Sequence, residues 1–156
     1  MMSINFLKIN GHIAEEVIKL AVGTNQDHLI ATNAEWLTQA NFNNDSIDFA
    51  IYHSGQPAGL ISLIDPRIRA IPDDHFQPDH LYVWRLMIDH AFQGKGIGNK
   101  AVNFAKNYAQ LVGLSGVSLT TMDNEQGNAK PLYLANGFTP TGRRLDDEIE
   151  LIFSHD

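Results

Sequence analysis

Apolar and polar residues alternate in several short stretches of the chain, which is the pattern of half-buried β-strands. Residues 3–9 alternate in this way, and the runs 48–53 and 58–64 flank a polar segment, 54–57, that predicts a hairpin. The run HLYVWRLMID, residues 80–89, is rich in aromatic and β-branched residues. Its length and composition predict a strand that is buried on both faces.

Other stretches carry apolar residues at helical spacing. These segments predict four helices, at 12–22, 27–39, 96–112 and within GNAKPLYLANGF, and two more strands, VSLTTM and EIELIF. The proline-containing segment 65–79 is predicted to be a loop. The predicted order is β-α-α-β-β-β-α-β-α-β, which is typical of a mixed α/β or α+β sheet.

Composition narrows the class of protein. The 156 residues, 44% of them hydrophobic, suit a single domain covering 1–156. A formal net charge of -7 argues against a nucleic-acid or anionic-membrane binder. The absence of cysteine excludes disulfides, thiolate metal sites and a cysteine nucleophile. No signal peptide or apolar span is visible, so we expect a soluble cytoplasmic protein.

The segment QGKGIG, Gln93–Gly98, lies between a predicted buried strand and an amphipathic helix. Backbone N–H groups and the helix dipole make such a junction a binding site for anions. Glycines let the backbone approach a phosphate closely, and Lys95 and Lys100 add positive charge. The same glycines also suit a tight connection that requires positive φ angles, so the surrounding sequence has to decide.

Two nucleotide-binding motifs fail at the same residue. The mononucleotide P-loop requires a glycine directly before its lysine, and Asn99 precedes Lys100. The dinucleotide fingerprint requires a third glycine where Asn99 stands, although Asp123 ends the next strand at a suitable distance for a ribose contact.

A third pattern, Q/R-x-x-G-x-G/A, fits Gln93, Gly96 and Gly98. Downstream, NAKPLYLANGF fits A-x-x-L-Y-x-x-x-G-F through Ala129, Leu132, Tyr133, Gly137 and Phe138. With both motifs, residues 81–138 resemble the GCN5-related N-acetyltransferase (GNAT) family. The resemblance implies a mixed sheet of about six to seven strands flanked by about four helices, and binding of acetyl-coenzyme A.

The resemblance also implies roles for individual residues. Tyr133 corresponds to the family's tyrosine near the coenzyme sulfur, where a phenol can act as general acid. Gln126 stands where the family often has asparagine, and Asn124 or Asn128 could take over that contact. The residues implied in cofactor binding are Leu86, Met87, Ile88, Gln93, Gly94, Lys95, Gly96, Ile97, Gly98, Asn99, Gln126 and Asn128.

The general base is left open by the sequence. Some members of the family carry a glutamate where this chain has Trp84, so the remaining candidates are His80, Asp79 and Glu35. The stretch YVWRLMID, Tyr82–Asp89, is most similar to the diamine or polyamine N-acetyltransferase branch.

Several charged residues allow more than one interpretation. Asp-His pairs at 27–28, 74–75, 79–80 and 89–90 lie on different predicted elements, so no metal site is expected. The acidic loop at 73–79 is either solvated or attracts a polycation. Trp84 is predicted to pack beside the pantetheine arm or to contact the amine through a cation–π interaction, and Arg85 to be a buried or paired cation. The acidic run Asp146, Asp147, Glu148 predicts a turn.

The predicted function is direct transfer of acetyl from acetyl-coenzyme A to a primary amine of a small diamine or polyamine. A protein N-terminus, an amino acid or an aminoglycoside is the alternative acceptor. A module that binds coenzyme A without turnover, as a sensor or subunit, is the alternative from another class. A homodimer is compatible with the family, and neither nucleic acid nor membrane is an expected partner.

Overall fold

The computed structural model describes residues 3–21, 32–42, 46–68, 73–124 and 128–155. Within these ranges the chain forms seven strands and four α-helices. In chain order they are β1 (Ile4–Lys8), α1 (Gly11–Val17), α2 (Asn33–Phe42), β2 (Ser46–His53), β3 (Gln56–Ile64), β4 (His80–Ile88), α3 (Ile97–Leu111), β5 (Gly116–Thr121), α4 (Lys130–Ala135), β6 (Thr139–Leu145) and β7 (Glu148–Ser154). The start of the helix predicted at 27–39, the Asp27–His28 pair and Gln126 lie outside the described residues.

One sheet contains all seven strands in the order β1-β2-β3-β4-β5-β7-β6. Neighbouring strands are antiparallel except for β4 and β5, which run parallel. The predicted mixed sheet is therefore confirmed.

The predicted hairpin is also confirmed, since β2 and β3 are joined at Ser54 and Gly55, whose φ angles are 49° and 84°. Two successive positive φ angles match the right-handed twist of paired strands.

Strand β6 is the element that the sequence pattern misses. Its residues, TPTGRRL, are mostly exposed, because β6 is an edge strand that pairs only with β7. An exposed edge strand has no buried face to impose apolar alternation. Asp146 and Asp147, with φ angles of 47° and 65°, form the turn between β6 and β7. The predicted acidic turn is thus confirmed for these two residues, whereas Glu148 begins β7.

Helices cover both faces of the sheet. On one face, α3 and α4 pack on a large core that includes Leu81, Val83, Ala101, Tyr133 and Leu151. On the opposite face, a smaller core joins α1 and α2 to the sheet through Val17, Trp36, Ala50, Leu60 and Met87. The sheet is therefore the middle layer of three, and its two faces are lined by different pairs of helices.

A β-bulge in β4 changes which residues of this strand face each core. Val83 pairs with Leu63 of β3 and Arg85 pairs with Ser62, which leaves Trp84 without a partner. Before the bulge, Leu81 and Val83 point into the larger core, whereas after it Leu86 and Ile88 do so. Because a bulge inserts one residue into the alternation, Trp84 and Met87 both reach the smaller core.

Strands β4 and β5 separate soon after they meet. Their parallel pairing covers His80, Leu81 and Tyr82, opposite Gly116, Val117 and Ser118, and stops there. Within the described residues, the remainder of β4, from Val83 to Ile88, pairs with no strand on its β5 side. The sheet therefore splits in its middle, and backbone groups of β4 line the opening.

Gly116 sits at the base of this split, where β5 packs against β7. A β-carbon at this position would lie 2.8 Å from the Cα of Ser154 and against the carbonyl oxygen of Phe153. Backbone atoms cannot rotate away, so we expect Gly116→Ala to lower the free energy of unfolding by about 2–3 kcal/mol. Gly11→Ala is the matched control, because no atom lies within 4 Å of its added methyl group. Chemical denaturation of both variants tests this, and equal stabilities would contradict it.

Candidate active site

The split between β4 and β5 opens into a cleft of about 1110 Å³. Its walls come from β4, from the loop after β4, from the first residues of α3, from the end of β5 and from α4. Asp73, His75, Phe76 and Glu148 close it on the side of the β6–β7 hairpin. The cleft therefore joins segments that are far apart in the sequence.

The glycine segment Gln93–Gly98 forms one end of the cleft. Gly94 and Gly96 have φ angles of 78° and 80°, which residues with a β-carbon rarely adopt. No atom lies within 4 Å of the β-carbon positions of these two residues, so the backbone borders open space. Gly96 precedes α3 without a side-chain cap. The first N–H groups of α3 therefore have no partner within the helix, which makes this end suitable for an anion.

Gly98 and Asn99 lie in the first turn of α3 and also have structural contacts. A β-carbon on Gly98 would lie 3.2 Å from the Cδ2 of Leu132, so glycine here allows α3 and α4 to pack closely. The amide oxygen of Asn99 accepts a hydrogen bond of 2.8 Å from Asn136 at the end of α4. These contacts fix the two helices beside the cleft.

The residues between β4 and the glycine segment hold it in place. The side-chain amide of Gln93 donates a 3.0 Å hydrogen bond to the carbonyl oxygen of Ile88. The carboxylate of Asp89 accepts hydrogen bonds from the backbone N–H groups of Ala21 and Ala91 at 2.8 Å and 3.2 Å. The loop is therefore anchored both to β4 and to the segment after α1.

The remaining residues implied in cofactor binding fall on two sides of the cleft. Leu86 and Ile88 pack toward α3, and Met87 is buried on the opposite face. Lys95 is exposed next to the glycines. Asn128 lines the cleft, and its side-chain oxygen accepts a 3.0 Å hydrogen bond from the N–H of Lys130 at the start of α4.

Tyr133 lies on α4 with its side chain in the wall of the cleft. Only 6% of the residue is exposed, and its ring packs against Phe138 at a centroid distance of 5.7 Å. Burial, and to a smaller extent the charge of Glu148, raise the pKa of the Tyr133 hydroxyl above its ordinary value. The phenol therefore keeps its proton at physiological pH and is able to donate it.

The three base candidates from the sequence do not line the cleft. His80 lies at the start of β4, where its ring nitrogens contact the carbonyl oxygen of Pro78 and the hydroxyl of Ser154, both at 2.8 Å. Asp79 is exposed in the preceding turn with a φ angle of 59°. Glu35 is exposed in the first turn of α2.

Glu148 is the carboxylate that the sequence interpretation assigns to a turn and the structure places in the cleft. Its side chain is half-buried, and the hydroxyl of Thr120 lies 3.5 Å from one carboxylate oxygen and 3.2 Å from the hydroxyl of Tyr82. Burial is the main cause that raises the pKa of Glu148, against opposing effects of Thr120, His75 and Arg85. The alternation in EIELIF contains a signal for this position, because Ile149 and its apolar partners face one way and Glu148 faces the other.

Glu150, two residues further along β7, stabilises the structure and does not line the cleft. It is buried and accepts hydrogen bonds from Gln77, Thr141 and Arg143, including an Arg143 ion pair of 2.7 Å. Burial alone would raise the pKa of Glu150, but these donors outweigh it and the pKa is lowered. Glu150 thus ties the 73–77 loop to the β6–β7 hairpin.

His75 connects the same loop to the turn of that hairpin. Its two ring nitrogens lie 3.0 Å from carboxylate oxygens of Asp73 and Asp146. Burial alone would lower the pKa of His75, but the hydrogen bonds and charges of both aspartates outweigh it and the pKa is raised. Protonated His75 therefore bridges two carboxylates at the mouth of the cleft.

This raised pKa predicts the sign of a pH effect. The stabilisation by protonated His75 is complete below its ordinary pKa of about 6.5 and is lost as the pH rises through the raised value in the folded state. We expect His75→Gln to lower the melting temperature more at pH 5.5 than at pH 9. His12→Gln, at a side chain that is 80% exposed, is the control. An equal shift at both pH values would contradict the prediction.

Two properties of the described ranges bear on other functions. No group of three or more His, Cys, Asp or Glu side chains within them is arranged to hold a metal ion. None of the helices they contain is long and apolar enough to cross a membrane.

Comparisons with known proteins agree with this architecture. An aminoglycoside acetyltransferase in complex with coenzyme A superposes with a TM-score of 0.76 over 97% of this chain and 95% of its own, at 13% identity. A spermidine N-acetyltransferase chimera that includes Vibrio cholerae sequence superposes with a TM-score of 0.67 over 97% and 94%, at 15% identity. At these identities the two matches show the fold and do not distinguish between acceptors.

Sequence comparison extends the agreement to the family. An uncharacterized N-acetyltransferase of Halalkalibacterium halodurans is 28% identical over 105 residues, which are 66% of this chain and 56% of that protein. The chain thus spans little more than half the length of this relative. The profile of the acetyltransferase (GNAT) family matches residues 14–138. Since this match covers most of the chain, the chain belongs to the acetyltransferase (GNAT) family.

Proposed function

We propose that the chain is an acetyl-coenzyme A-dependent N-acetyltransferase that transfers acetyl directly to a primary amine of a small molecule. One observation carries the proposal. A backbone edge without a partner, an anion-suited helix start and a buried phenol converge on one cleft at β4, Gly94–Gly98 and Tyr133. A loop that only connected a strand to a helix would not require these three features to occur together.

The residues fit the cofactor in two places. The open backbone at Gly94 and Gly96 and the start of α3 would hold the pyrophosphate, with Lys95 nearby. The edge of β4 from Leu86 to Ile88, which no described strand covers, would pair with the pantetheine arm as an added strand, beside the existing hydrogen bond from Gln93 to the carbonyl oxygen of Ile88. Bound there, the cofactor supplies an acetyl thioester as the electrophile.

Proton transfer is the task that remains for side chains. An alkylammonium, with a pKa of about 10, has to lose a proton before it can attack a carbonyl carbon. We assign this proton to Glu148, a half-buried carboxylate in the cleft whose pKa is raised, and we prefer it to His80, Asp79 and Glu35, which lie outside the cleft. Tyr133 then donates its proton to the departing sulfur. No acyl-enzyme is needed, and the chain has no cysteine to form one.

The charges of the cleft wall bear on the acceptor. Asp73 and Glu148 are carboxylates in this wall and support an amine, which agrees with the diamine or polyamine that the sequence predicts. Arg85 lies in the same wall and opposes a molecule that is positively charged at every end. A protein N-terminus, an amino acid or an aminoglycoside remains the alternative acceptor.

The decisive experiment incubates the protein with acetyl-coenzyme A and a panel of amines, followed by mass spectrometry. The panel contains putrescine, spermidine, amino acids, aminoglycosides and peptides with free N-termini. We expect one class to gain a single acetyl group. Binding of acetyl-coenzyme A without acetylation of any class would favour the non-catalytic sensor or subunit. Thermal stabilisation by NAD instead of acetyl-coenzyme A would contradict the proposed cofactor.

A further inference from the structure

Arg85 occupies an unusual position in the cleft. It follows the β-bulge of β4 and is half-buried in the cleft wall. One of its terminal nitrogens donates a 2.6 Å hydrogen bond to the side-chain oxygen of Gln39, and its guanidinium lies 4.8 Å from the ring centroid of Trp84. Since Gln39 belongs to α2, the Arg85 side chain points to the face of the sheet opposite α3, which is the helix that follows the glycine segment.

The other described arginines are paired and Arg85 is not. Arg67, Arg143 and Arg144 each form an ion pair with a carboxylate at 2.7–2.8 Å. Across residues 3–21, 32–42, 46–68, 73–124 and 128–155, no carboxylate forms an ion pair with Arg85. Its Nε is buried and has no hydrogen-bond partner. The side chain therefore uses one of its five donors on Gln39, and its buried Nε donor is unpaired.

The unpaired guanidinium of Arg85 is energetically unfavourable unless a ligand forms hydrogen bonds with it. A half-buried charge without an ion-pair partner is unfavourable, and burial lowers the pKa of Arg85, against opposing effects of the charges of Glu35, Tyr82 and Glu148. The planar guanidinium matches a carboxylate with two parallel hydrogen bonds. Glu148 lines the same cleft, and the opposite charges of Glu148 and Arg85 act on each other's pKa.

We propose that the acceptor carries a carboxylate beside its primary amine, with Arg85 binding the carboxylate and Glu148 the amine. The acceptor is then a small amino carboxylate such as a free amino acid, and a simple diamine lacks the group that Arg85 binds. Arg85 thereby determines specificity and takes no part in proton transfer. This proposal rests on the proposed transfer of acetyl to an amine.

Pairs of amines that differ only by a carboxylate test this proposal. Lysine and cadaverine, ornithine and putrescine, arginine and agmatine, and tyrosine and tyramine are four such pairs. Coenzyme A release and product masses are measured for the wild type, Arg85→Gln, Arg85→Lys and the control Arg144→Gln, at an exposed arginine outside the cleft. In the preferred pair, we expect the carboxylate-bearing member to have a kcat/KM about 10- to 100-fold higher, as for loss of a charged hydrogen bond.

The variants separate binding of a carboxylate from other roles of Arg85. Arg85→Gln is expected to raise KM for the amino carboxylate about tenfold or more with little change in kcat, and to remove the difference within the pair. Arg85→Lys should restore part of the difference, and Arg144→Gln should behave as wild type.

Three outcomes overturn the proposal in different ways. Equal kcat/KM within every pair in the wild type contradicts the role of Arg85 and leaves amine acetylation intact. A shifted pH profile in Arg85→Gln with an unchanged pair ratio assigns Arg85 to charge compensation of Glu148 only. If no member of any pair is acetylated although acetyl-coenzyme A binds, the proposed function fails and this proposal fails with it. The wild-type ratios decide even if Arg85→Gln does not fold.

Discussion

Replacing Tyr133 with phenylalanine is expected to lower kcat about 100- to 10,000-fold, the range attributed to general acid catalysis. The ring stays in place against Phe138, so packing is preserved and only the proton donor is lost. Because the raised pKa keeps the hydroxyl protonated, the wild type needs no adjustment of pH to supply this proton. The measurement is steady-state release of coenzyme A with the amine that the panel identifies.

Two further measurements make this result specific. Binding of acetyl-coenzyme A to Tyr133→Phe, followed by thermal shift or calorimetry, should match the wild type. Tyr108→Phe is the control, because Tyr108 lies on α3, outside the cleft lining, and packs its ring near Phe49 and Phe104. A Tyr133→Phe variant with wild-type kcat would show that the sulfur leaves without a proton from this residue.

Replacing Glu148 with glutamine is expected to lower kcat/KM about 100- to 1,000-fold near neutral pH, because the proton acceptor is removed while the side-chain shape is kept. In the wild type, kcat/KM should rise with pH through a pKa above the ordinary glutamate value of about 4.3, since burial raises the pKa of Glu148. In Glu148→Gln this dependence should disappear. Rates measured across pH with a saturating concentration of acetyl-coenzyme A test both statements.

Asp147→Asn provides the matched control for Glu148→Gln. It removes a neighbouring negative charge from an exposed turn residue with a φ angle of 65°, which asparagine tolerates. Its pH profile should equal that of the wild type. Glu148→Gln should also fold as stably as the wild type, because it removes a charge that burial disfavours. If Glu148→Gln retained the wild-type rate and pH dependence, another group or a water path would have to accept the proton.

The fold was predictable where one buried face imposed a pattern on the sequence. The apolar stripe of α3 results from burial against one core and is confirmed. The predicted strands β2 and β3 are also confirmed, and they are apolar runs because both of their faces are buried, one against each core. The first helix is shorter than predicted, since α1 ends at Val17. Strand β6 was not predictable in this way, because pairing with β7 and the Asp146–Asp147 turn hold it, and neither contributes an apolar residue at regular spacing.

The candidate site was predictable only in its local parts. The glycine segment and Tyr133 belong to short motifs that are continuous in sequence. The proposed roles of Glu148 and Arg85 depend on contacts with residues of other strands and helices, such as Thr120 on β5 and Gln39 on α2. Spacing along the chain contains no information about these distances, so the sequence predicts only a turn for the acidic run and a buried or paired cation for Arg85.

The split in the sheet divides the strands into two groups that are also consecutive in the sequence. Strands β1 to β4 follow one another both in sequence and in the sheet, and β5, β7 and β6 form the other part. Each part is an antiparallel unit made from one continuous piece of chain, and three pairs of residues between β4 and β5 join them laterally. The segment 89–115, which contains α3, connects the two units along the chain. The molecule is thus two consecutive chain segments set side by side, and the proposed catalytic groups act along the border between them.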